Sequence, residues 1–168
     1  YEIIPNVVNT NLFFPSKAKP NRFTIIHISS LVDDHKNITG MLRAIRKFQE
    51  DIPDFLLYLI GDNPKQYEHY IESLGLKPEN FELINQVAHQ EIAKLLQQSH
   101  VLVLFSNYEN LPCVILEAFA SGIPVISTDV GGIKEFFPKD YGKLIHSKDE
   151  NELVSAILEV KEKLEYFN

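Results

Sequence analysis

Residues 101–127 read VLVLFSNYENLPCVILEAFASGIPVIS and contain a complete strand–helix–strand unit. Val101–Phe105 and Ile123–Ser127 are short apolar runs rich in β-branched residues, which is typical of strands that are buried on both faces. Between them, Cys113–Ser121 predicts a helix that stops at Gly122. Two buried strands joined by a helix lie parallel in one sheet. This stretch therefore predicts an α/β fold.

The same alternation of strands and helices continues toward both ends of the chain. Four more buried strands are predicted, at Phe23–Ile28, Phe55–Ile60, Phe81–Ile84 and Gly142–Ile145. Helical spacing of apolar residues predicts helices near residues 38–48, 65–74, 90–98, 133–137 and 150–164. About six apolar strands that alternate with helices predict a doubly wound parallel sheet covered on both faces.

The length and composition of the chain limit what it can be. Its 168 residues are enough for one domain. A net charge of -7 argues against binding of nucleic acid, because phosphate backbones require a concentrated basic surface. No apolar run approaches the roughly 20 residues that a membrane span needs. The single cysteine, Cys113, cannot form an intramolecular disulfide, which favours a reducing, cytoplasmic setting.

The first 21 residues differ in kind from the rest. They contain Pro5, Pro15 and Pro20 and show no clear period, which is typical of a linker. We expect residues 1–21 to lead into one domain that covers residues 22–168, with further protein upstream of the linker.

The loop after the first predicted strand offers groups that suit an anion. In an open parallel sheet, ligands bind beyond the carboxyl ends of the strands. Residues 29–37 place Ser30 and Lys36 there, near the start of the next helix. A diphosphate suits this position, because a helix N-terminus offers unpaired N–H groups and Lys36 adds a full charge. The alternative is a solvated loop with Lys36 on its surface.

A pair of carboxylates follows the strand Val101–Phe105. Glu109 lies in the loop and Glu117 lies in the next helix, with seven residues between them. Carboxylates accept hydrogen bonds from neighbouring hydroxyls, so the pair suits a ligand with two sugars. The alternative is an acid at a helix N-terminus and an ordinary surface glutamate. Because Glu117 lies in an apolar stretch where an unpaired charge is costly, we expect it to have a partner.

Two further loops follow predicted strands. Residues 128–132 end in Gly131 and Gly132, which permit close backbone approach. Residues 85–88 contain Val87, whose backbone is a candidate for hydrogen bonding to a nucleotide base. The histidines show no metal-ligand spacing, so no metal site is predicted, and His27 is interpreted as a core histidine.

Taken together, these segments resemble the C-terminal, donor-binding domain of glycosyltransferase family four, whose members are retaining enzymes of the GT-B type. The resemblance covers nearly the whole chain. Its strongest part is residues 109–118, ENLPCVILEA, which are similar to the family's motif of two glutamates separated by seven residues. Three other segments support it, namely IPNVVN at 4–9, ASGIPVI at 120–126 and GGIKE at 131–135. The resemblance implies a Rossmann-like domain that forms one lobe of a GT-B fold.

The resemblance also implies a role for each matching residue. Glu109 would meet the hydroxyls of the transferred sugar, Glu117 would hold the nucleotide ribose, and Lys36 would neutralise the diphosphate as it leaves. Backbone amides of residues 111–114 would approach the sugar and the phosphates. The expected catalytic residues are Glu109 and Lys36, and the expected nucleotide-sugar-binding residues are Ser30, Lys36, Val87, Glu109, Asn110, Leu111, Pro112, Cys113, Val114 and Glu117. Apart from the donor substrate, this scheme requires neither a cofactor nor a metal.

The function implied in this way is transfer of a hexose from a nucleoside-diphosphate sugar to a glycan or a lipid-linked acceptor, as in polysaccharide biosynthesis. The lobe that binds the acceptor is not among these 168 residues, so we expect this chain alone to be inactive. The full-length protein is expected in the cytoplasm, with peripheral association with the inner membrane surface as an open alternative.

The chain departs from the family pattern at three positions. Ser30 takes the place of an arginine, while Asn37 and Val8 each take the place of a glycine. Serine can donate a hydrogen bond but cannot offset the charge of a diphosphate. Two alternatives therefore stay open: a non-catalytic module that binds nucleotide sugars, and a GT-B-like sugar epimerase domain, which fits the glutamate motif less well.

Overall fold

The computed structural model describes residues 6–16, 18–110, 112–138 and 140–166. Within these ranges one sheet contains the strands β1 (Phe23–Ser29), β2 (Phe55–Gly61), β3 (Phe81–Asn85), β4 (Val101–Leu104), β5 (Val125–Thr128) and β6 (Gly142–Ile145). The strand order is β3-β2-β1-β4-β5-β6, and every neighbouring pair is parallel. This arrangement confirms the doubly wound, Rossmann-like sheet that the alternating pattern predicts.

Helices connect the strands and cover both faces of the sheet. They are α1 (Asp33–Lys36), α2 (Ile38–Asp51), α3 (Glu68–Ser73), α4 (His89–Gln97), α5 (Cys113–Ala120), α6 (Ile133–Phe136) and α7 (Glu150–Tyr166), with 3₁₀ turns at Pro64–Tyr67 and Pro78–Asn80. Buried side chains of α2, α3 and α7 form the core on one face, and those of α4 and α5 form the core on the other. In the part of the chain that the structure describes, no helix is both long enough and apolar enough to cross a membrane.

The two cores explain why the strands are recognisable in the sequence. Successive strand residues point to opposite faces of a sheet. In β1, Ile25 belongs to the core that contains α2 and α7, and Ile26 belongs to the core that contains α4 and α5. Because both faces are covered, the central strands are apolar along their length instead of alternating with polar residues.

The strand order changes direction between β1 and β4. On one side β1 pairs with β2, and on the other it pairs with β4. The helix α2 that follows β1 and the helix α5 that follows β4 lie on opposite faces of the sheet. The loops after these two strands therefore separate at the carboxyl edge, which is where doubly wound folds bind their ligands.

The loop after β1 contains a short helix, α1, that the sequence pattern does not predict. It ends at Lys36, and Asn37 then adopts a left-handed conformation with φ of 49° before α2 begins. Asparagine tolerates this conformation better than most residues. The backbone conformation at position 37 therefore suits asparagine or glycine.

The segment before β1 packs on the domain without forming a helix or a strand in residues 6–16 and 18–22. Phe13 is buried in the core beside α4 and α5. Lys19 Nζ donates to the carbonyl oxygens of Gln97 and Ser99, at 3.1 and 2.7 Å, where α4 ends. The boundary between a linker at 1–21 and a domain at 22–168 stays a prediction, and residues 1–5 lie outside the described residues.

Candidate functional site

An ion pair joins the loops that follow β1 and β4. Lys36 Nζ donates to Glu109 Oε1 at 2.6 Å, and Ser106 Oγ donates to the same oxygen at 2.7 Å. The Glu109 side chain is 6% exposed and the Lys36 side chain is 18% exposed. A carboxylate this deeply buried needs such partners, because burying an unpaired charge is costly. The structure therefore places the two predicted catalytic residues in direct contact.

Backbone hydrogen bonds hold the two loops together beside this pair. The carbonyl oxygen of His35 accepts from the N–H groups of Asn107 and Tyr108, at 2.8 and 3.2 Å. The side-chain amide of Asn107 donates to the carbonyl oxygen of Asp34 at 3.1 Å. These bonds fix the end of α1, and with it Lys36, against the loop that carries Glu109.

The loop after β5 supports the loop that carries Glu109. Thr128 Oγ1 donates to the carbonyl oxygen of Ser106 at 2.7 Å. Gly131 has φ of 58°, and a Cβ atom there would lie 1.9 Å from the carbonyl oxygen of Glu109. Only glycine fits this approach. The sequence predicts that glycine in this loop permits close approach of the backbone. In the structure, the backbone of Gly131 approaches the loop that carries Glu109.

A cleft of about 270 Å³ opens beside the ion pair, and its lining residues are Ser30, His35, Lys36, Tyr108, Glu109, Asn110 and Pro112. Five of the residues predicted for the site are among them, namely Ser30, Lys36, Glu109, Asn110 and Pro112. They come from two loops that lie far apart in the sequence and meet where the strand order changes direction. This cleft is the candidate site.

The N-terminus of α5 supplies backbone donors next to the cleft. Pro112 is its N-cap residue and forms no side-chain cap hydrogen bond. The first N–H groups of a helix, here those of Cys113 and Val114, have no acceptor within the helix. The Cys113 side chain is exposed, whereas the Val114 side chain is buried in the core, so only the backbone of Val114 can meet a ligand. Leu111 lies outside the described residues.

Glu117 lies further along α5, close to His89 at the start of α4. His89 Nε2, from the first residue of α4, is 3.9 Å from Glu117 Oε1, and the Glu117 side chain is only 13% exposed. Burial raises the pKa of Glu117, while the neighbouring His89 lowers it to a smaller extent. The ring of His89 also contacts Phe13, with centroids 6.4 Å apart.

Val87 does not line the cleft beside Lys36. It lies in the loop between β3 and α4, with 37% of its surface exposed. This loop leads directly to His89, which contacts Glu117. The predicted base-binding position is therefore on the Glu117 side of the site, apart from the ion pair.

Several residues of the site are missed by sequence reasoning. Ser106 and Tyr108 lie in the loop that follows β4, and their place beyond the carboxyl end of a central strand is the signal that could have identified them. His89 carries no such signal, because it meets Glu117 only through the fold. His35 precedes Lys36 in the sequence and can approach a phosphate from there, although packing within the loop is the favoured interpretation.

His27 lies in β1, beneath the site. Its Nδ1 atom is 2.8 Å from the carbonyl oxygen of Val103, and its Nε2 atom is 2.8 Å from Ser29 Oγ. Burial is the main cause that lowers the pKa of His27 to about 4, and Lys36 adds to the effect. The interpretation of His27 as a core histidine with satisfied ring nitrogens is confirmed.

A larger cavity of about 550 Å³ lies at the opposite edge of the sheet, between α7 and the amino ends of β5 and β6. Three of its charged side chains pair with one another, since Glu159 accepts from Lys143 at 2.6 Å and from Lys163 at 2.9 Å. We place the site in the smaller cleft, because ligands of doubly wound sheets bind at the carboxyl edge. No cluster of three or more metal-ligating His, Cys, Asp or Glu side chains occurs within the described ranges.

Comparison with known proteins identifies the family of the chain. The family described as "Glycosyl transferases group 1" matches residues 8–166. The chain is 30% identical over 172 residues to a "Probable sucrose-phosphate synthase" of Thermosipho melanesiensis, an alignment that covers 97% of this chain and 40% of that protein. The chain thus spans less than half the length of this relative.

Solved structures share the fold. The C-terminal domain of a glycosyl transferase group 1 family protein from Francisella tularensis superposes with a TM-score of 0.73 at 22% identity, covering 89% of this chain and 85% of that one. The pneumococcal O-GlcNAc transferase GtfA, solved in complex with UDP and GlcNAc, gives 0.76 at 18% identity, covering 90% of this chain and 31% of that one. The family match extends over nearly the whole chain, which therefore belongs to the group 1 glycosyltransferases.

Proposed function

We propose that this chain is the C-terminal, donor-binding domain of a retaining glycosyltransferase of family four. The enzyme transfers a hexose from a nucleoside-diphosphate sugar to a glycan or a lipid-linked acceptor. The observation that carries the proposal is the contact of 2.6 Å between Lys36 and Glu109, at the lip of a cleft at the carboxyl edge of the sheet.

The two ends of the site suit the two ends of a nucleotide sugar. Glu117 and the loop that contains Val87 lie on one side, and Lys36 and Glu109 lie on the other. In this proposal Glu117 accepts hydrogen bonds from the ribose hydroxyls, and the backbone near Val87 meets the base. The N–H groups at the start of α5 lie between them and suit the phosphates, because the N-terminus of a helix attracts anions.

During transfer, the bond between the sugar and the diphosphate breaks, and negative charge grows on the leaving diphosphate. A cation held near that oxygen stabilises the developing charge. Lys36 is that cation here, and Glu109 accepts hydrogen bonds from hydroxyls of the transferred hexose. Because Lys36 and Glu109 are bonded to each other, donor binding exchanges part of their contact for contacts with the substrate.

Similarity to known proteins supports the part of the proposal that concerns the donor substrate. One structure of the same fold was solved with UDP and GlcNAc. Since this chain spans 40% of the length of its sucrose-phosphate synthase relative, the acceptor site is assigned to another part of a longer protein. The cytoplasmic setting and the contact with the inner membrane surface belong to the same proposal.

Calorimetric titration of this chain with UDP and with GDP tests the proposal. We expect one of the two nucleotides to bind, and both Lys36→Ala and Glu117→Ala to weaken its binding about tenfold or more. Lys94→Ala and Glu91→Gln are the matched controls, because these residues form an exposed ion pair on α4 with a separation of 3.1 Å. Equal losses in the control variants, or no binding by the folded wild-type chain, would contradict a donor site here.

The non-catalytic alternative rests on Ser30, which lines the cleft without adding a charge. Sugar transfer by the full-length protein with Ser30 in place decides against this alternative. A full-length protein that binds the nucleotide sugar but transfers the hexose only as the Ser30→Arg variant would support it instead.

A further inference from the structure

The charges that line the cleft do not balance those of the proposed donor. Lys36 contributes one positive charge and Glu109 one negative charge, and the two are paired at 2.6 Å. The diphosphate of a nucleotide sugar brings two negative charges. Ser30, which also lines the cleft, can donate a hydrogen bond but adds no charge. A second cation beside Lys36 would therefore bring the charge of this cleft closer to that of the donor, in addition to the N–H groups at the start of α5.

His35 is placed to be that cation. Its exposed side chain lines the same cleft, one residue before Lys36. Its ring contacts the ring of Tyr108, with centroids 6.1 Å apart, and forms no hydrogen bond to any described residue. Its backbone is fixed, because its carbonyl oxygen accepts from the N–H groups of Asn107 and Tyr108. Both ring nitrogens are thus available on a segment whose position is set.

The charged groups around His35 do not prevent it from binding the diphosphate. The titratable and charged residues on its own helix and on the facing loop are Asp33, Asp34, Lys36, Tyr108 and Glu109. The Asp33 carboxylate is engaged elsewhere, since it accepts from Thr39 N and Thr39 Oγ1, both at 2.8 Å. Glu109 is engaged by Lys36 and Ser106.

We propose that His35, when protonated, binds the diphosphate of the donor together with Lys36, so that affinity for the nucleotide sugar rises as the pH falls. This inference rests on the proposed function and adds a residue to that site. Imidazole side chains commonly gain their charge between about pH 8 and pH 5. A charge-assisted hydrogen bond to phosphate is stronger than a neutral one, so affinity should increase when the imidazole gains its charge.

The test compares the affinities of the wild-type chain and the His35→Gln and His35→Arg variants at about pH 6 and about pH 8.5. The probe is UDP-glucose or GDP-mannose, whichever the wild-type chain binds, because the phosphates of these diesters do not change charge in this range. We expect wild type to bind about tenfold more tightly than His35→Gln at the lower pH and about equally at the higher pH. The His35→Arg variant should bind tightly at both, since arginine stays charged.

At each pH the affinity of the wild-type chain is divided by that of His35→Gln. This ratio removes the contribution of every other titrating group, including Glu117. His69→Gln is the control, because His69 lies on α3 and its side chain is 96% exposed. A ratio that is the same at both pH values overturns the inference. If Lys36→Ala and Glu117→Ala weaken binding while His35→Gln does not, the inference fails and the donor site stands. If the wild-type chain binds neither probe, both fail.

Discussion

Lys36 Nζ lies 2.6 Å from Glu109 Oε1, although the two residues are 73 positions apart along the chain. The contact closes the loop after β1 onto the loop after β4, at the point where the strand order changes direction. Ser106 completes it by donating to the same carboxylate oxygen at 2.7 Å. The catalytic pair proposed above is therefore also a structural connection between the two halves of the sheet.

Removing the lysine should destabilise the fold. In a Lys36→Met variant, the nearly buried Glu109 keeps Ser106 but loses its cation, so we expect the free energy of unfolding to fall by about 1–3 kcal/mol. The double variant Lys36→Met, Glu109→Gln should recover part of this loss, because no unpaired charge is then buried. Urea denaturation of wild type, Lys36→Met, Glu109→Gln and the double variant at neutral pH measures the coupling energy between the two side chains. Strictly additive effects would show that the two side chains do not interact in solution.

A side chain at Gly131 should disrupt the site. In Gly131→Ala the new methyl group would overlap the carbonyl oxygen of Glu109, and the backbone has φ of 58°. We expect a loss of more than about 2 kcal/mol of stability and of measurable nucleotide binding. Gly75→Ala is the matched control, because Gly75 has φ of 67° but has open space around its Cβ position. The Gly75→Ala variant should lose about 1 kcal/mol of stability and keep its nucleotide binding. Similar losses of stability in both variants would point to backbone strain alone.

Stability should depend on pH through His27. Its pKa is lowered to about 4 in the folded chain, while a solvated histidine titrates near ~6.5. Between these values the unfolded state binds more protons, so stability is lost as the pH falls from about 6.5 toward 4. The loss attributable to His27 is of the order of 3 kcal/mol.

Denaturant titrations of wild type and His27→Gln at about pH 7.5 and about pH 4.5 isolate this contribution from that of the carboxylates. The difference in stability between the two proteins should shrink as the pH falls. His146→Gln is the control, because the His146 side chain is 88% exposed. An unchanged difference across the range would mean that His27 takes up its proton without unfolding.

The contribution of Glu117 to nucleotide binding should weaken in acid. Burial raises the pKa of this carboxyl, so it takes up a proton at a higher pH than an exposed glutamate does. A protonated carboxyl accepts fewer hydrogen bonds from ribose hydroxyls. In the His35→Gln background, which removes the opposing effect of the imidazole, we expect affinity to fall as the pH approaches the raised pKa from above. Adding Glu117→Gln should abolish that fall; a fall that persists would have another origin.

Much of this protein could be predicted from its sequence. Buried parallel strands are apolar on both faces, so FTIIHI, FLLYLI and VLVLF stand out and their order gives a doubly wound sheet. The general rule that ligands bind beyond the carboxyl ends of such strands then selects the loops that hold Lys36 and Glu109. Both inferences use only local pattern and chain order, which are properties of the sequence itself.

Only the tertiary structure decided which side chains meet. Sequence spacing relates Glu109 to Glu117, but the observed partners are Lys36 for the first and His89 for the second. Likewise, the carbonyl oxygen of Glu109, 22 positions earlier in the chain, requires glycine at position 131. Such contacts depend on how parallel strands are ordered and how the loops between them pack. Distances of a few ångströms between remote residues are consequences of the completed sheet, and no local pattern encodes them.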